Sequence, residues 1–166
     1  LRLVGSEMCI RDRLEEKQIG EAMTADDFEI TATDVSFMSQ EDFSDIYAFE
    51  KEMFKEAECI MVTVNIKNMS EEKQRVTLEG FTLTSQAWTT CTAPDKYMAV
   101  NEKWNSEQYQ SGSIYIESGE ERKLILPFLL VKNGFTQKQW EHVKERNYEL
   151  VLSLYPVKKQ IKLKCV

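Results

Sequence analysis

The sequence has little of what most enzymes use for catalysis. It contains one histidine, His142, and only six glycines in 166 residues. No HExxH, GxSxG or glycine-rich phosphate loop occurs, so the common metal, nucleophile and nucleotide chemistries have no signature here. His142 lies in a polar segment with no evident partner, which is typical of a surface histidine. We therefore predict a protein that is not an enzyme and that needs no cofactor. A hydrolase using paired carboxylates stays open, because 28 residues are Asp or Glu.

Two further absences narrow the partners. The formal net charge is −7, from 21 basic and 28 acidic residues, so the chain lacks the basic surface that a nucleic-acid binder needs. No apolar run reaches the roughly 18 to 20 residues of a membrane span. The acidic stretch at 39–57 lacks the ligand spacing of an EF-hand. We expect these acidic side chains to form a solvent-exposed face. A calcium-binding site is the more specific alternative.

The cysteines show no CxxC or other metal-ligand spacing. Of the four cysteines, Cys9 belongs to the N-terminal residues 1–13, which are treated separately below. The other three, Cys59, Cys91 and Cys165, are an odd number. We expect free thiols in small apolar niches, and a disulfide stays open.

The first residues resemble no protein segment. Residues 3–13 read Leu-Val-Gly-Ser-Glu-Met-Cys-Ile-Arg-Asp-Arg, which resembles the conceptual translation of a transposon-end sequencing adapter. We therefore expect residues 1–13 to be an artefact. Residues 14–26 are polar and acidic and are expected to be a linker or lead-in, and residues 27–166 a single domain. Any link to a membrane would then pass through an N-terminal anchor missing from this sequence.

Alternating hydrophobic residues predict a mainly β fold. Residues 60–66 read Ile-Met-Val-Thr-Val-Asn-Ile, which is typical of a strand with one buried face. A second alternating run at 76–83 follows at hairpin distance, so we expect these two to form the core hairpin of a sandwich. The opposing sheet is expected to include Leu124–Leu130 and Leu150–Leu154. A change of phase near Thr33 predicts a β-bulge.

Pro127 and the lysines of the last strand predict where the edges of the sheets lie. Pro127 cannot donate to a ladder, so its side of the strand should be an edge or a bulge. The last strand, 157–165, carries Lys158, Lys159, Lys162 and Lys164. We expect these lysines to protect an edge strand from aggregation, with contact to an anionic wall polymer as the weaker alternative.

Two short helices interrupt the strands. A capping box at Ser39–Asp42 and helical spacing of hydrophobic residues predict a helical insert at about 41–55. Thr136 and Gln139 form a second capping box, flanked by Phe135 and Trp140 as a hydrophobic staple. This pattern predicts a crossover helix at about 137–146.

The least regular segment, 88–111, carries several aromatic residues. Trp88, Tyr97 and Trp104 are the candidate ligand-binding residues, because aromatic rings on loops can stack on sugars or anchor a partner. The structural alternative, in which they cover one end of the sandwich, is favoured for Trp88 and Tyr97.

The motifs of these strands resemble a known group of domains. The segments Val62–Asn68, Phe81–Leu83 and Ser118–Glu121, leading into Leu126–Phe128, are similar to Ig-like (telokin-like) β-sandwich domains of unknown function in surface proteins and lipoproteins of Gram-positive bacteria. The two helical segments depart from the simple pattern. The resemblance implies an extracytoplasmic domain tethered to the cell surface, and it supplies no catalytic residues.

The sequence thus favours a non-enzymatic interaction or structural module outside the cytoplasm, with a protein or a cell-wall glycan as its partner. A glycan-binding module using Trp88, Tyr97 and Trp104 is the first alternative. A carboxylate-dependent hydrolase is the second.

Overall fold

A computed structural model describes residues 13–46, 56–85, 88–95, 99, 105, 112–154 and 156–164. The chain forms an antiparallel β-sandwich, as predicted. Between the strands of these ranges, two short α-helices with the bounds given below and three 3-10 turns are described. The strands are β1 (Leu14–Gln18), β2 (Ala22–Ala25), β3 (Phe28–Phe37), β4 (Ala57–Asn68), β5 (Gln74–Thr77), β6 (Thr82–Ser85), β7 (Trp88–Thr92), β8 (Ser113–Ile116), β9 (Glu121–Val131), β10 (Asn147–Ser153) and β11 (Lys158–Lys164).

The strands form two sheets that pack face to face. Sheet one has the order β1-β11-β10-β6-β7, and sheet two has the order β2-β3-β4-β9. A separate ribbon pairs β5 with β8. Hydrophobic residues from both sheets and the ribbon form one core, in which Ile60, Val62, Val64 and Ile66 of β4 are fully buried. Strand β4 is thus a central strand, as its alternation predicts.

The predicted hairpin between 60–66 and 76–83 is wrong. Strand β4 pairs with β3 and β9, whereas β5 pairs with β8, and β6 pairs with β10 and β7. Strand β9 therefore lies in the same sheet as β4, and only the expectation that β10 lies opposite is confirmed. Leu154 follows β10 and is 75% exposed rather than inward. Alternation identifies a strand and its buried face, but partners are chosen by contacts distant in sequence.

The segment expected to be a lead-in contributes a strand to each sheet. Strand β1 pairs with β11 in parallel, and β2 pairs with β3 in an antiparallel ladder. Gly20, with φ of +88°, makes the turn between them, and its N–H donates to the Ala32 carbonyl. The predicted bulge is confirmed where the register between β3 and β4 shifts after Ala32.

Asn68, at the end of β4, joins the turn that follows β4 to the end of β8 and to the β8–β9 turn. Its fully buried side-chain amide donates to the carbonyls of Glu72 (2.7 Å) and Ile116 (3.0 Å). Its side-chain oxygen accepts from the N–H (2.9 Å) and the hydroxyl (2.8 Å) of Ser70. Its backbone N–H and carbonyl are bonded to the β8–β9 turn at Glu120 and Gly119. The Asn of the strand motif is therefore a structural residue.

The free edge of sheet two is covered by backbone and amide contacts. Asn105 donates to the Ile125 carbonyl (2.9 Å) and accepts from the Ile125 N–H (2.7 Å), as a neighbouring strand would. Two residues along, the Pro127 carbonyl accepts from the N–H of Asp95 (2.7 Å). Because residues two apart point the same way, the missing N–H of Pro127 faces this edge, as predicted.

The first helix, α1 (Gln40–Ile46), covers the outer face of sheet two. The Ser39 hydroxyl accepts from the Asp42 N–H at 3.1 Å, which confirms the start of the predicted insert; residues 47–55 lie outside the described ranges. Met38, Phe43 and Ala57 enclose the Cys59 thiol, which is free and 1% exposed. Burial raises the pKa of this thiol to about 12, and the nearby Asp95 carboxylate adds to the rise.

The second helix, α2 (Gln137–Glu141), crosses from sheet two to sheet one. Both capping-box bonds between Thr136 and Gln139 are present, at 3.3 and 2.8 Å. The rings of Phe135 and Trp140 lie 5.6 Å apart, so the predicted staple is confirmed. The α-helix is shorter than expected, and a 3-10 turn at Val143–Glu145 completes the crossover.

Candidate ligand-binding pocket on sheet one

A polar pocket of about 630 Å³ lies at one end of sheet one. It is formed where β10 begins and β1, β6 and β11 end. Its volume is in the range of small-ligand sites. We call it the polar pocket, and the described residues that line it are Gln18, Ser85, Glu145, Arg146, Asn147, Glu149, Lys162, Leu163 and Lys164.

The strand register explains why these side chains meet. Leu150 of β10 and Ile161 of β11 point into the core, so their neighbours in sequence point to the outer face. One row across this face consists of Gln18, Lys162, Glu149 and Thr84, from strands β1, β11, β10 and β6 in turn. The next row contains the cross-strand pair of Asn147 and Lys164. Directly opposite side chains lie about 5 Å apart, so the rows place cations, a carboxylate and amides together.

Glu149 is the buried acid of the pocket. It is 3% exposed, although it belongs to the outer face of the sheet. Its Oε2 accepts a hydrogen bond from the Thr84 hydroxyl at 3.3 Å. Buried carboxylates require hydrogen-bond donors, and an ionised carboxylate can accept several. Glu149 is therefore suited to bind a donor of a ligand.

Ser85 supplies an unsatisfied hydroxyl. It is 4% exposed, and its Oγ has no hydrogen-bond partner among the residues that the structure describes. It lies at the end of β6, where the register with β7 shifts. A buried hydroxyl without a partner costs stability, so such a group calls for an explanation such as a bound ligand.

The lysines of the last strand are not edge protection. Strand β11 lies between β1 and β10, so the predicted role is wrong. Lys162 binds Glu16 at 2.7 Å, and this bond lowers the pKa of the Glu16 carboxyl, with a second contribution from the Gln160 amide. Lys164 faces the pocket, and its ammonium has no carboxylate partner within the described part of the chain.

The single histidine lies beside the pocket rather than in its lining. His142 Nδ1 is 2.8 Å from Oε2 of Glu145, a lining residue, and the pair is mostly exposed. This contact engages the Glu145 carboxylate. The predicted surface position of His142 is thus confirmed, and it has an acidic partner that the sequence did not suggest.

The predicted aromatic site is only partly described. Tyr97 and Trp104 lie outside the described residues. Trp88 is the first residue of β7 rather than a loop residue, and its backbone pairs with that of Ser85. Ser85, Asn147 and Glu149 are not among the residues that the sequence predicts for a site. The outward parity of Glu149 in β10 was readable, but its neighbours depend on the order of strands in the sheet.

A second, smaller cleft has a mainly hydrophobic lining with a few polar residues. It has a volume of about 140 Å³ and opens between the sheets beside Phe28, Phe81 and Leu152. The polar pocket is therefore the stronger candidate site.

Two other kinds of site are not found in the described part of the chain. Within the described ranges, no three His, Cys, Asp or Glu side chains are grouped as metal ligands would be. No helix in those ranges has the length and apolar character of a membrane span.

Solved structures with the same fold come from Gram-positive bacteria. A protein described as a "putative lipoprotein (ycdA)" from Bacillus subtilis subsp. subtilis str. 168 is 18% identical, with a TM-score of 0.54 over 87% of this chain. This chain spans only 38% of the length of that protein. The yjhA protein from Bacillus subtilis is 15% identical, with a TM-score of 0.54, and the match covers 89% of this chain and 99% of that one. An uncharacterized β-sandwich protein from Clostridium difficile 630 is 13% identical, with a TM-score of 0.52, over 92% and 95% of the two chains. At these identities the likeness shows the fold alone.

No curated protein matches this sequence. One family does match, over residues 13–159, which include every strand of the sandwich from β1 into β11 and the whole crossover. The chain therefore belongs to the family described as "Domain of unknown function (DUF5028)".

Proposed function

We propose that this protein is an extracytoplasmic module, tethered to the cell surface, that binds a partner through the polar pocket without turning it over. The observation that carries the proposal is the pocket itself, where a buried carboxylate, Glu149, lies together with a buried hydroxyl, Ser85, that lacks a partner. The surface location is supported by the sequence resemblance to Ig-like surface domains and by the description of the ycdA protein.

The geometry favours binding over hydrolysis. Two carboxylates that cleave a glycoside must both face the bond, one as acid and one as base or nucleophile. Of the two acids in the described lining, Glu145 is engaged by His142 and Glu149 accepts from Thr84. We expect wild-type protein and Glu149→Gln to release equally few reducing ends from cell-wall fragments. Turnover that disappears in Glu149→Gln would instead establish the hydrolase.

Two experiments test the proposed function. The uninterrupted gene is expressed in a Gram-positive host, and protease is added to intact cells. We expect digestion of the protein, whereas protection and recovery in the cytoplasmic fraction would contradict the location.

In the second experiment, purified protein is sedimented with cell-wall fragments. Glu149→Gln should weaken sedimentation, and Lys158→Gln, outside the described lining, is the matched control. Equal sedimentation of both variants would exclude the pocket.

A glycan is the partner favoured by one specific observation. The backbone of Trp88 pairs with that of Ser85, a residue of the described lining, so the strand paired with β6 carries a tryptophan in register with the lining, and tryptophan rings stack on sugars. Titration with soluble cell-wall glycan should change the tryptophan emission of the wild type, and this change should be smaller in Trp88→Phe. Unchanged emission in the wild type would count against a glycan.

A further inference from the structure

We propose that the polar pocket binds a saccharide that carries a carboxylate, with Glu149 and Ser85 contacting its hydroxyls and Lys164 its carboxylate. This inference rests on the proposed function and names the chemical class of its ligand. It uses four properties of the pocket: the acceptor Glu149, the hydroxyl of Ser85, the polar volume, and the cation Lys164, which has no carboxylate partner in the described ranges.

The acceptor and the hydroxyl select for a ligand with hydroxyl groups. The two oxygens of an ionised carboxylate together accept several hydrogen bonds, so Glu149 can accept from ligand hydroxyls in addition to the Thr84 hydroxyl. The Ser85 hydroxyl both donates and accepts, and it has no partner among the described residues. A sugar hydroxyl also does both, so neighbouring hydroxyls of one ring can satisfy both residues. An apolar ligand would leave the Ser85 hydroxyl buried without a partner among the described residues.

The volume and lining agree with a sugar of one or two units. The pocket holds about 630 Å³, and of its nine described lining residues only Leu163 is apolar. Asn147 and Gln18 add amides that can donate to or accept from further hydroxyls. The smaller cleft between the sheets, at about 140 Å³, is too small and too hydrophobic for the same ligand.

The charge of Lys164 selects for an acidic sugar. Lys162 is neutralised by Glu16 at 2.7 Å, whereas Lys164 has no carboxylate partner within the described residues. Lys164 pairs across the strands with Asn147, in the row next to Glu149. A carboxylate on the ligand would form a charge-assisted bond to this ammonium. Because the Lys164 ammonium lacks a carboxylate partner among the described residues, it matches a single negative charge, and the buried Glu149 nearby disfavours the larger charge of a phosphate.

The test uses pairs of sugars that differ only in a carboxylate-bearing group. N-acetylmuramic acid is compared with N-acetylglucosamine, and D-glucuronic acid with D-glucose, by titration calorimetry or NMR at fixed ionic strength. A hydrogen bond to a charged group predicts that the acid of each pair binds at least about tenfold more tightly. A preference shared by both pairs shows that the carboxylate is recognised. If only one pair shows the preference, the pocket also recognises the sugar ring that carries the carboxylate.

Three variants assign the contacts. Lys164→Gln should remove about tenfold of affinity for the acidic sugar and leave the neutral sugar unchanged. Ser85→Ala should weaken both sugars, and Lys158→Gln, on the same strand as Lys164 but outside the described lining, should weaken neither. Unfolding midpoints equal to wild type show that each variant is folded.

The inference is overturned if the acid and its neutral counterpart bind equally, if Lys164→Gln keeps the preference, or if no sugar binds. Failure here is separable from failure of the proposed function. Sedimentation with wall fragments that is lost in Glu149→Gln, together with no sugar preference, would retain the binding function and reject the acidic sugar. Loss of both would reject both.

Discussion

Asn68→Ala should be among the most damaging single substitutions in this domain. The change removes four side-chain hydrogen bonds at a fully buried position. The Ile116 carbonyl loses its side-chain donor, and the N–H of Ser70 loses its acceptor. The Glu72 carbonyl and the Ser70 hydroxyl keep their bond to each other at 2.8 Å. The turn after β4 would then lose its direct side-chain bond to the end of the β8 strand.

The magnitude follows from the burial of these groups. Each intramolecular hydrogen bond contributes about 1 kcal/mol net, and a buried group left without a partner costs about 1 to 3 kcal/mol. The bond to Ile116 is buried, so no water replaces it, whereas the groups of Glu72 and Ser70 are partly open to water. We therefore expect a loss of about 3 kcal/mol in the free energy of unfolding.

The measurement is urea unfolding followed by circular dichroism, with Asn65→Ala as the control. Asn65 lies on the same strand, on its half-exposed face, and its side chain makes no hydrogen bond to the described residues. Its replacement should cost less than about 1 kcal/mol. If the two variants differ by less than about 1 kcal/mol, the hydrogen-bond network of Asn68 is not what stabilises this end of the sandwich.

Asn68→Asp adds a pH test of the same reasoning. A carboxylate at this position would face the carbonyls of Glu72 and Ile116, so its pKa in the folded state should rise above the unfolded value of about 3.9. An acid whose pKa is raised by folding destabilises the protein increasingly as the pH rises above the unfolded value. The deficit relative to wild type should therefore be larger at about pH 7 than at about pH 4. A deficit independent of pH would contradict the position of the two carbonyls.

Two further predictions concern Cys59 and Glu16. Iodoacetamide at about pH 8 should label Cys59 at least about 100-fold more slowly in native protein than in urea, because burial disfavours the thiolate; peptide mapping by mass spectrometry measures this, and ready native labelling would contradict the buried site. Glu16→Gln should lower the free energy of unfolding by less than about 1 kcal/mol at about pH 7, because it loses the bond to Lys162. Folding lowers the pKa of Glu16 below its ordinary 4.5, so this stabilisation is present above that pH and is lost as the pH falls through the folded value. Urea midpoints of wild type and variant should therefore converge at about pH 3, and a constant difference would refute the ion pair as the cause.

The sequence predicted features whose causes are local. The alternation of residues 60–66 depends only on the strand period, and the capping box of Thr136 and Gln139 involves residues three apart. The phase change near Thr33 likewise reports a bulge within one strand. These predictions were correct because each feature is determined by residues adjacent in the chain.

The candidate site could not be predicted in the same way. Glu149, Lys162 and Ser85 come from three strands. The sequence around any one of these residues does not predict that the other two lie close to it in the fold. Edge protection by the lysines of β11 is a wrong prediction because the sequence does not show that β1 pairs with this strand. Likewise, β9 was assigned to the wrong sheet, since a strand buried on both faces fits either.

By itself, then, the sequence determined that this chain forms strands, which faces of them are buried and where two helices begin. Only the tertiary structure decided which strands are neighbours, and therefore which outward side chains share a row. The physical reason is that strand pairing depends on packing and closure across the whole sandwich. The polar pocket follows from that pairing: it exists because β1, β6, β10 and β11 lie side by side.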